Sequence, residues 1–287
     1  MSAACASRPI PVSDFQRAAA PGWSARAAAT WARFPSFEAV YRGAYEPASG
    51  GKRSLRLWVA AQGAQLLRLE VAGRTGGTLL TLVTDGHEML GASARLGEHV
   101  RGLARPGWLE ALTGWAMEAD EVAGLLLADL PSRLSLRLRP AHGTAGSLED
   151  PAHGAETAEE PHLQIAWIGQ SRDGARRALI FSGEAIPAGE ARVAIEVDGH
   201  PVGEIVYAEW LERAGAWIPA RLVLKAAEGT LELRLEDLSA GTLRPEAFSL
   251  EPPAGSNRVP VPAGGERPDG WDAQPGTSEP ARSGEGS

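Results

Sequence analysis

The sequence of 287 residues contains a single cysteine, Cys5, which excludes an internal disulfide framework and a zinc site built on several thiolates. It also lacks any run of apolar residues near the roughly 20 that a membrane-spanning helix needs. Cations are not in excess, because 28 Lys and Arg stand against 36 Asp and Glu for a net charge of -8. Surfaces that bind nucleic-acid phosphates concentrate Lys and Arg, so nucleic acid is not an expected partner.

Catalytic signatures are also missing from the chain. There is no Gly-x-Ser-x-Gly elbow, no His-Glu-x-x-His pair and no Gly-x-Gly-x-x-Gly turn. Residues 50–54 fail as a phosphate loop because Arg53 occupies the hydroxyl position. Asp85, His87 and Glu88 lie close together, but strand alternation sends His87 to the opposite side from Glu88. The sequence therefore predicts that the protein is not an enzyme and that it binds no cofactor.

Histidines could offer another kind of site, but their placement argues against one. His142, His153 and His162 lie in or beside residues 140–161, a segment rich in Ala, Gly and Glu with little to bury. Their spacing matches no compact ligand motif, so the sequence predicts a solvated loop and no metal site. Residues 140–161 are therefore predicted to be a mobile insertion, and residues 253–287, where Pro, Gly, Ser and charge dominate, a disordered tail.

Alternation of apolar and polar residues dominates most of the remaining chain. In one such segment Leu55 and Leu57 point to one side while Arg56 points to the other, which is the pattern of a sheet with one buried face. Turn dipeptides such as Asp85-Gly86 separate the segments at hairpin spacing. The predicted strands are 37–45, 54–60, 65–71, 78–84, 88–89, 163–168, 176–182, 192–198, 202–210, 217–225 and 230–238.

The apolar period changes to that of a helix in the middle of the chain, and a short helix is also predicted at 24–33. Pro106, and the acidic pair Asp120 and Glu121, are favourable at first helical turns, and Pro131 closes the second central helix. The apolar stripes are Trp108, Leu109, Leu112 and Trp115 in the first central helix, and Val122, Leu125, Leu126 and Leu130 in the second. Since these helices carry more apolar surface than they can bury alone, we expect them to cover the apolar face of the sheet.

These segments predict an α+β fold, a large curved antiparallel sheet (half-barrel) with helices packed over its concave apolar face. The folded domain is predicted at residues 23–252. An apolar cavity is expected where helices meet sheet, although the tryptophans could equally fill an ordinary core. The candidate cavity residues are Leu55, Leu57, Leu67, Leu69, Trp108, Leu112, Trp115, Leu125, Leu126, Leu231, Leu233 and Leu235.

The N-terminal segment 1–22 contains a candidate lipid-attachment site. Small residues at positions 2–4 directly precede Cys5, as in the lipobox of bacterial lipoproteins. Such a signal needs a basic and then an apolar segment upstream, whereas only Met1 precedes the motif here. We therefore expect an earlier start that supplies the signal, with Cys5 as the lipid anchor and the following residues as a tether. Without the anchor, the protein would be expected free in the periplasm.

Several segments resemble the bacterial lipoprotein carriers and receptors of the LolA/LolB-like family, which share the order of strands, two central helices, then strands. Residues 206–210, 217–224 and 231–235 are similar to the C-terminal half of LolB-type receptors. The run Phe248-Ser249-Leu250-Glu251-Pro252-Pro253-Ala254-Gly255 looks like the closing Phe-x-Leu-x-x-Pro-x-Gly of LolA-like carriers. The resemblance covers most of residues 22–255 apart from the central insertion.

The resemblance implies a half-barrel whose apolar cavity receives lipoprotein acyl chains from a soluble periplasmic carrier, at the periplasmic face of the outer membrane. It also implies an arginine on an early strand that helps to hold a helical lid closed. Arg56 is the candidate for that role, although it could simply lie on the solvated face. LolB receptors present an exposed Leu on a loop between early strands, whereas residues 73–77 here are Gly-Arg-Thr-Gly-Gly. The alternative is a lipid-anchored structural or assembly subunit of an envelope complex, with the same fold and a filled core.

Overall fold

The computed structural model describes residues 30–260, except for 31, 64, 105–107, 114, 116, 118, 129–134, 139–163, 171–175, 184–189 and 250. The N-terminal segment with Cys5, the predicted insertion and most of the predicted tail lie outside the described residues. The described strands are β1 (Ser36–Pro47), β2 (Arg53–Gln62), β3 (Leu66–Gly73), β4 (Thr78–Thr84), β5 (Glu88–Ser93), β6 (Glu98–Leu103), β7 (Ser135–Leu138), β8 (Gln164–Gln170), β9 (Arg176–Gly183), β10 (Ala191–Val197), β11 (His200–Arg213), β12 (Ala216–Ala226), β13 (Gly229–Ala240) and β14 (Asn257–Arg258). The described helices are α1 (Trp108–Thr113), α2 (Ala119–Leu126) and a short 3-10 turn at Pro245–Phe248. Residues 30, 32 and 33 are also helical, and the rest of the helix predicted at 24–33 lies outside the described residues.

Within the described residues, all strands belong to one 14-stranded sheet. Its order is β14-β6-β5-β4-β3-β2-β1-β13-β12-β11-β10-β9-β8-β7. Neighbouring strands pair antiparallel, except that β14 runs parallel to β6. In this part of the chain the edge strands β14 and β7 do not pair with each other, so the sheet is open. The predicted large antiparallel sheet is confirmed.

Side chains alternate across the sheet as the sequence predicts. In β2, Leu57 is buried while the neighbouring Arg56 has a side chain that is 63% exposed. In β13, Leu233 is buried, whereas Glu232 makes ion pairs on the other side of the sheet. We call the side that carries Leu57 and Leu233 the inner face and the opposite side the outer face.

Bulges bend the sheet at three strand pairs. The pairing of β1 with β13 passes from Val40–Asp237 to Tyr41–Leu235, so β13 carries one extra residue, Glu236. Similar irregularities lie between β3 and β4 and between β10 and β11. A bulge bends its strand and increases the local twist, which favours a curved sheet over a flat one.

Both central helices form where the sequence predicts them. The second ends at Leu126, where the backbone enters a turn and Ala128 adopts a left-handed φ of 52°. The predicted extension to Leu130 and Pro131 lies outside the described residues. Trp108 of α1 and Leu126 of α2 belong to the same buried cluster as the inner face of the sheet.

Strand β6 and most of β5 were missed by the sequence analysis, which predicted only 88–89 in this region. The reason is that β5 is covered on both faces, with buried side chains from Met89 through Ser93. Met89 belongs to the inner cluster, whereas Leu90 packs in a second cluster on the outer face. A strand buried on both sides shows no alternation for sequence analysis to detect. Strand β7 was also not predicted.

The outer cluster is covered by the chain that follows β13, which we call the C-terminal strap (residues 241–249 and 251–260). Phe248 of the strap packs with Ala60, Val83 and Leu90, and the backbone carbonyl of Ala247 accepts a 3.2 Å hydrogen bond from Arg68. The strap then pairs with β6 as strand β14. The backbone pairing at Asn257–Arg258 therefore lies beyond the predicted domain boundary at 252.

The strap should contribute to stability mainly through Phe248, whose side chain is 7% exposed. Replacing Phe248 by Ala should lower the free energy of unfolding by about 3 kcal/mol, because it removes a buried ring and leaves a cavity. Leu103→Ala is the control, since Leu103 is 54% exposed and its loss should change stability by less than about 0.5 kcal/mol. Equal effects of the two substitutions in a denaturant titration would show that the strap is not packed on the sheet.

Candidate functional site

The two ends of the half-barrel are packed differently on the inner face. One end, which includes the β11–β12 turn at 214–215, is filled by large side chains, and we call it the packed end. Phe37, Tyr41 and Met89 there are at most 1% exposed. Burial raises the pKa of the Tyr41 phenol above its usual range, and none of the described residues hydrogen-bonds its hydroxyl. The packed end is therefore a filled core of large buried side chains.

The other end contains the turns at 48–52, 74–77, 94–97, 198–199 and 227–228, and we call it the hollow end. It contains a cavity of about 130 Å³. The sheet contributes Tyr45, Leu55, Leu57, Leu69, Val71, Leu80, Leu82, Leu224, Leu231 and Leu233 to its lining. The helical region contributes Leu109, Thr113, Trp115, Met117, Val122 and Leu126.

The chemistry of this lining is almost wholly apolar. None of the lining side chains is charged, and both of their hydroxyl groups are already hydrogen-bonded. The Thr113 Oγ1 donates to the carbonyl of Leu109 at 2.7 Å and accepts from the backbone N–H of Trp115 at 3.1 Å. The Tyr45 hydroxyl donates to the carbonyl of Glu228 at 2.8 Å. Such a cavity offers little to water and suits a hydrocarbon ligand.

A glycine in the middle of the sheet makes room at the floor of the cavity. Gly43 of β1 lies opposite Leu55 on one side and Leu233 on the other, and both leucines line the cavity. A Cβ at position 43 would lie 2.7 Å from the Leu233 side chain and 2.6 Å from the carbonyl oxygen of Glu232. Both distances are shorter than a non-bonded contact allows, so only glycine permits this close approach.

The structure brings together most of the predicted cavity residues. Leu55, Leu57, Leu69, Trp115, Leu126, Leu231 and Leu233 line the cavity. Leu67, Trp108, Leu125 and Leu235 belong to the surrounding apolar cluster instead of the lining. Leu112 lies in α1, but its side chain lies outside the described residues.

Several lining residues were missed by the sequence analysis. Their alternation offered a usable signal, because Val71 has the same parity as Leu69 and Leu224 follows Leu222 by two residues. Tyr45 lies at the end of its predicted strand and was not considered as a cavity-facing residue. Met117 lies between the two helices, where neither the strand period nor the helix period applies. The missed lining residues are Tyr45, Val71, Leu80, Leu82, Leu109, Thr113, Met117, Val122 and Leu224.

Arg56 is not placed as the sequence analysis proposed. It lies on the outer face, where its Nη2 makes a 3.0 Å ion pair with Glu236, so it cannot hold helices over the inner face. Strand alternation places Arg56 on the outer face, because it lies between the cavity-lining Leu55 and Leu57 in sequence. The arginine of β2 that shares their face is Arg53, which lies directly opposite the cavity-lining Tyr45.

Ion pairs cover the outer face of the sheet beneath the cavity. Glu236 also accepts from Arg42 at 2.8 Å, and Glu232 accepts from Arg221 at 2.9 Å. Partial burial tends to raise the pKa of Glu232, but the bond from Arg221 and the charges of Arg221, Lys52 and Arg234 lower it below its usual value. The outer face is therefore a charged, solvated surface, in contrast to the inner face.

The cluster of Asp85, His87 and Glu88 is a structural turn. The Asp85 carboxylate accepts hydrogen bonds from the backbone N–H groups of His87 and Glu88 at 2.8 and 2.7 Å. The Glu88 side chain accepts from Arg101 at 2.8 Å. Among all the described residues, these three included, no group of three His, Cys, Asp or Glu side chains is placed to hold a metal ion. None of the described helices has the length and apolar character needed to cross a membrane.

Together these features define an α+β protein with an open antiparallel half-barrel and an apolar cavity at one end. The fold is similar to that of a LolA superfamily protein from Nitrosomonas europaea, with a TM-score of 0.50 and 12% sequence identity over 80% of this chain and 97% of that chain. A domain from Vibrio parahaemolyticus described as an outer membrane lipoprotein-sorting protein matches with a TM-score of 0.42 and 12% identity, over 80% and 97%. No protein-family model and no curated protein matches the sequence. The resemblance seen in the sequence is therefore confirmed for the fold.

The floor of the cavity should be sensitive to a single methyl group. Gly43→Ala should lower the free energy of unfolding by about 1–3 kcal/mol, because the new Cβ must push Leu233 and the β13 backbone away. Gly77→Ala is the matched control, since a Cβ at Gly77 meets no atom within 4 Å and its φ is not left-handed. The control should be neutral or stabilising by up to about 1 kcal/mol. Thermal or denaturant unfolding of both variants measures the difference, and a stable Gly43→Ala protein would contradict the close approach.

Proposed function

We propose that this protein is a periplasmic carrier or receptor that holds acyl chains of lipoproteins or other lipids in the cavity at the hollow end, and that it is not an enzyme. The observation that carries the proposal is the lining itself, which has no charged side chain and no uncommitted hydroxyl. Such a site offers no charge and no available hydroxyl to a polar substrate, whereas its apolar lining matches a hydrocarbon chain.

Acyl chains supply enough free energy to bind such a site without a nucleotide. Each buried CH₂ contributes about 0.8 kcal/mol, so a stretch of several carbons suffices for measurable affinity. Transfer to a better apolar site or to a membrane would release the cargo. A passive carrier or receptor therefore needs no source of chemical energy to bind and release such a cargo.

The cavity is small for a whole acyl chain, so we propose that the helices move to admit one. Its 130 Å³ is close to the roughly 150 Å³ of an engineered protein cavity that accepts one benzene. A long acyl chain needs several times that space. The helices α1 and α2 contribute Leu109, Val122 and Leu126 to one side of the cavity, so we infer that they form a lid over the inner face that opens when cargo enters.

Location follows from the same proposal. The fold similarity to a LolA superfamily protein supports a place in the cell envelope, and the lipobox-like residues before Cys5 support a lipid anchor there. We propose attachment to the periplasmic face of the outer membrane, as in LolB-like receptors of lipoprotein localisation. A soluble periplasmic carrier would then be the natural partner that delivers cargo.

A second function, a lipid-anchored structural or assembly subunit, is favoured by the packed end. There the same inner face is filled by Phe37, Tyr41 and other large buried side chains. If the hollow end closed in the same way, the fold would serve as a scaffold. The two functions differ in whether the wild-type protein binds an acyl chain at all.

Filling the cavity should separate these functions. Leu55→Trp places an indole in the cavity in place of a smaller side chain and should weaken binding of a fluorescent fatty acid by at least about tenfold, because the chain loses its space. Ser54→Trp, at the neighbouring exposed position on the outer face, is the matched control and should bind like the wild type. Fluorescence titration measures both affinities, and circular dichroism verifies folding. A wild type that binds no fatty acid would leave the subunit as the better proposal.

A further inference from the structure

We propose that Arg53 binds an anionic headgroup, a carboxylate or phosphate attached to the acyl chain, and so makes the cavity selective for anionic amphiphiles. The inference rests on the proposed function, because it assumes that the apolar cavity holds the chain of the same ligand. It adds a specificity-determining residue and narrows the cargo of that function from acyl chains in general to lipids that carry an anion.

The position of Arg53 is set by the register of the first two strands. Arg53 lies directly opposite Tyr45 in the pairing of β2 with β1. Directly opposed residues of an antiparallel pair point to the same face, and Tyr45 lines the cavity. Arg53 is also two residues before the cavity-lining Leu55, which independently assigns it to the inner face.

Arg53 is therefore a cation at the border of an apolar cavity. Its Nη1 atom is buried, and the residue as a whole is half-buried. A guanidinium has five N–H donors in a planar fork, which suits the two oxygens of a carboxylate or the oxygens of a phosphate. A ligand whose chain fills the cavity would place its headgroup at this border.

Strand β2 also provides an internal control. Arg56 lies three residues later on the outer face, with a side chain that is 63% exposed and paired with Glu236. The two arginines share a strand and a charge, and they differ in the face they occupy. A headgroup bound over the cavity contacts Arg53 and cannot reach Arg56.

The test uses three ligands with the same sixteen-carbon chain: palmitate, hexadecyl phosphate and hexadecanol. Each competes with the neutral dye N-phenyl-1-naphthylamine for wild type, Arg53→Gln, Arg53→Lys and Arg56→Gln. For Arg53→Gln we expect affinity for palmitate or hexadecyl phosphate to fall by about tenfold or more, as for a lost charge-assisted hydrogen bond, with hexadecanol unchanged. Arg53→Lys should retain part of the selectivity, and Arg56→Gln all of it. The anion that loses more affinity identifies the headgroup.

Three outcomes would overturn the proposal. Equal losses for all three ligands in Arg53→Gln would show that Arg53 acts through the helices or the packing of the cavity and not on a headgroup. Unchanged affinities, or equal losses in Arg56→Gln, would remove Arg53 as the recognition residue while leaving acyl binding intact. Failure of the wild type to bind any of the three ligands would refute the proposed function itself.

Discussion

The two-residue period of the β-strand is the constraint on which the rest of this structure depends. Residues one apart on β2 belong to different environments: Leu55 and Leu57 line the cavity, whereas Arg56 between them pairs with Glu236 in water. A shift of one residue in register would exchange the two faces completely. The apolar cavity and the charged outer face are therefore two consequences of one alternation.

Side-chain size along the inner face then decides where the half-barrel is solid and where it is hollow. On β1 the inner positions of the packed end are filled by Phe37 and Tyr41, which are fully buried. Two residues after Tyr41, Gly43 lets the cavity-lining Leu55 and Leu233 on either side approach its backbone closely. A single strand thus contributes both to a conventional core and to the floor of a cavity. The packed end supplies stability, so that the hollow end can retain unfilled space, which costs stability in an ordinary core.

The outer face is stabilised in two distinct ways. Across β2, β1, β13, β12 and β11 it carries ion pairs, which are exposed and contribute little each. Across β2 to β5 it carries an apolar cluster covered by the C-terminal strap. The strap also pairs with β6 through β14, so an edge that would otherwise expose unpaired backbone groups is partly covered. The ion pairs and the strap thereby stabilise the outer face of the curved sheet, while its inner face lines the cavity together with residues of the helices.

Local patterns determined much of this protein. Alternation identified ten of the described strands and assigned Leu57, Leu69 and Leu233 to one face, and helical spacing located α1 and α2, because these signals depend only on neighbours in sequence. The same alternation assigns Arg53 to the inner face with Leu55. The resemblance to Lol carriers nevertheless led the sequence analysis to Arg56, which lies on the outer face. Most of strand β5, beyond the predicted residues 88–89, escaped detection because the strap and the inner cluster bury both of its sides, which removes the period. Only the tertiary structure decided that the leucines enclose a cavity and that the strap covers the outer face, since both depend on side chains far apart in the chain meeting across a curved sheet.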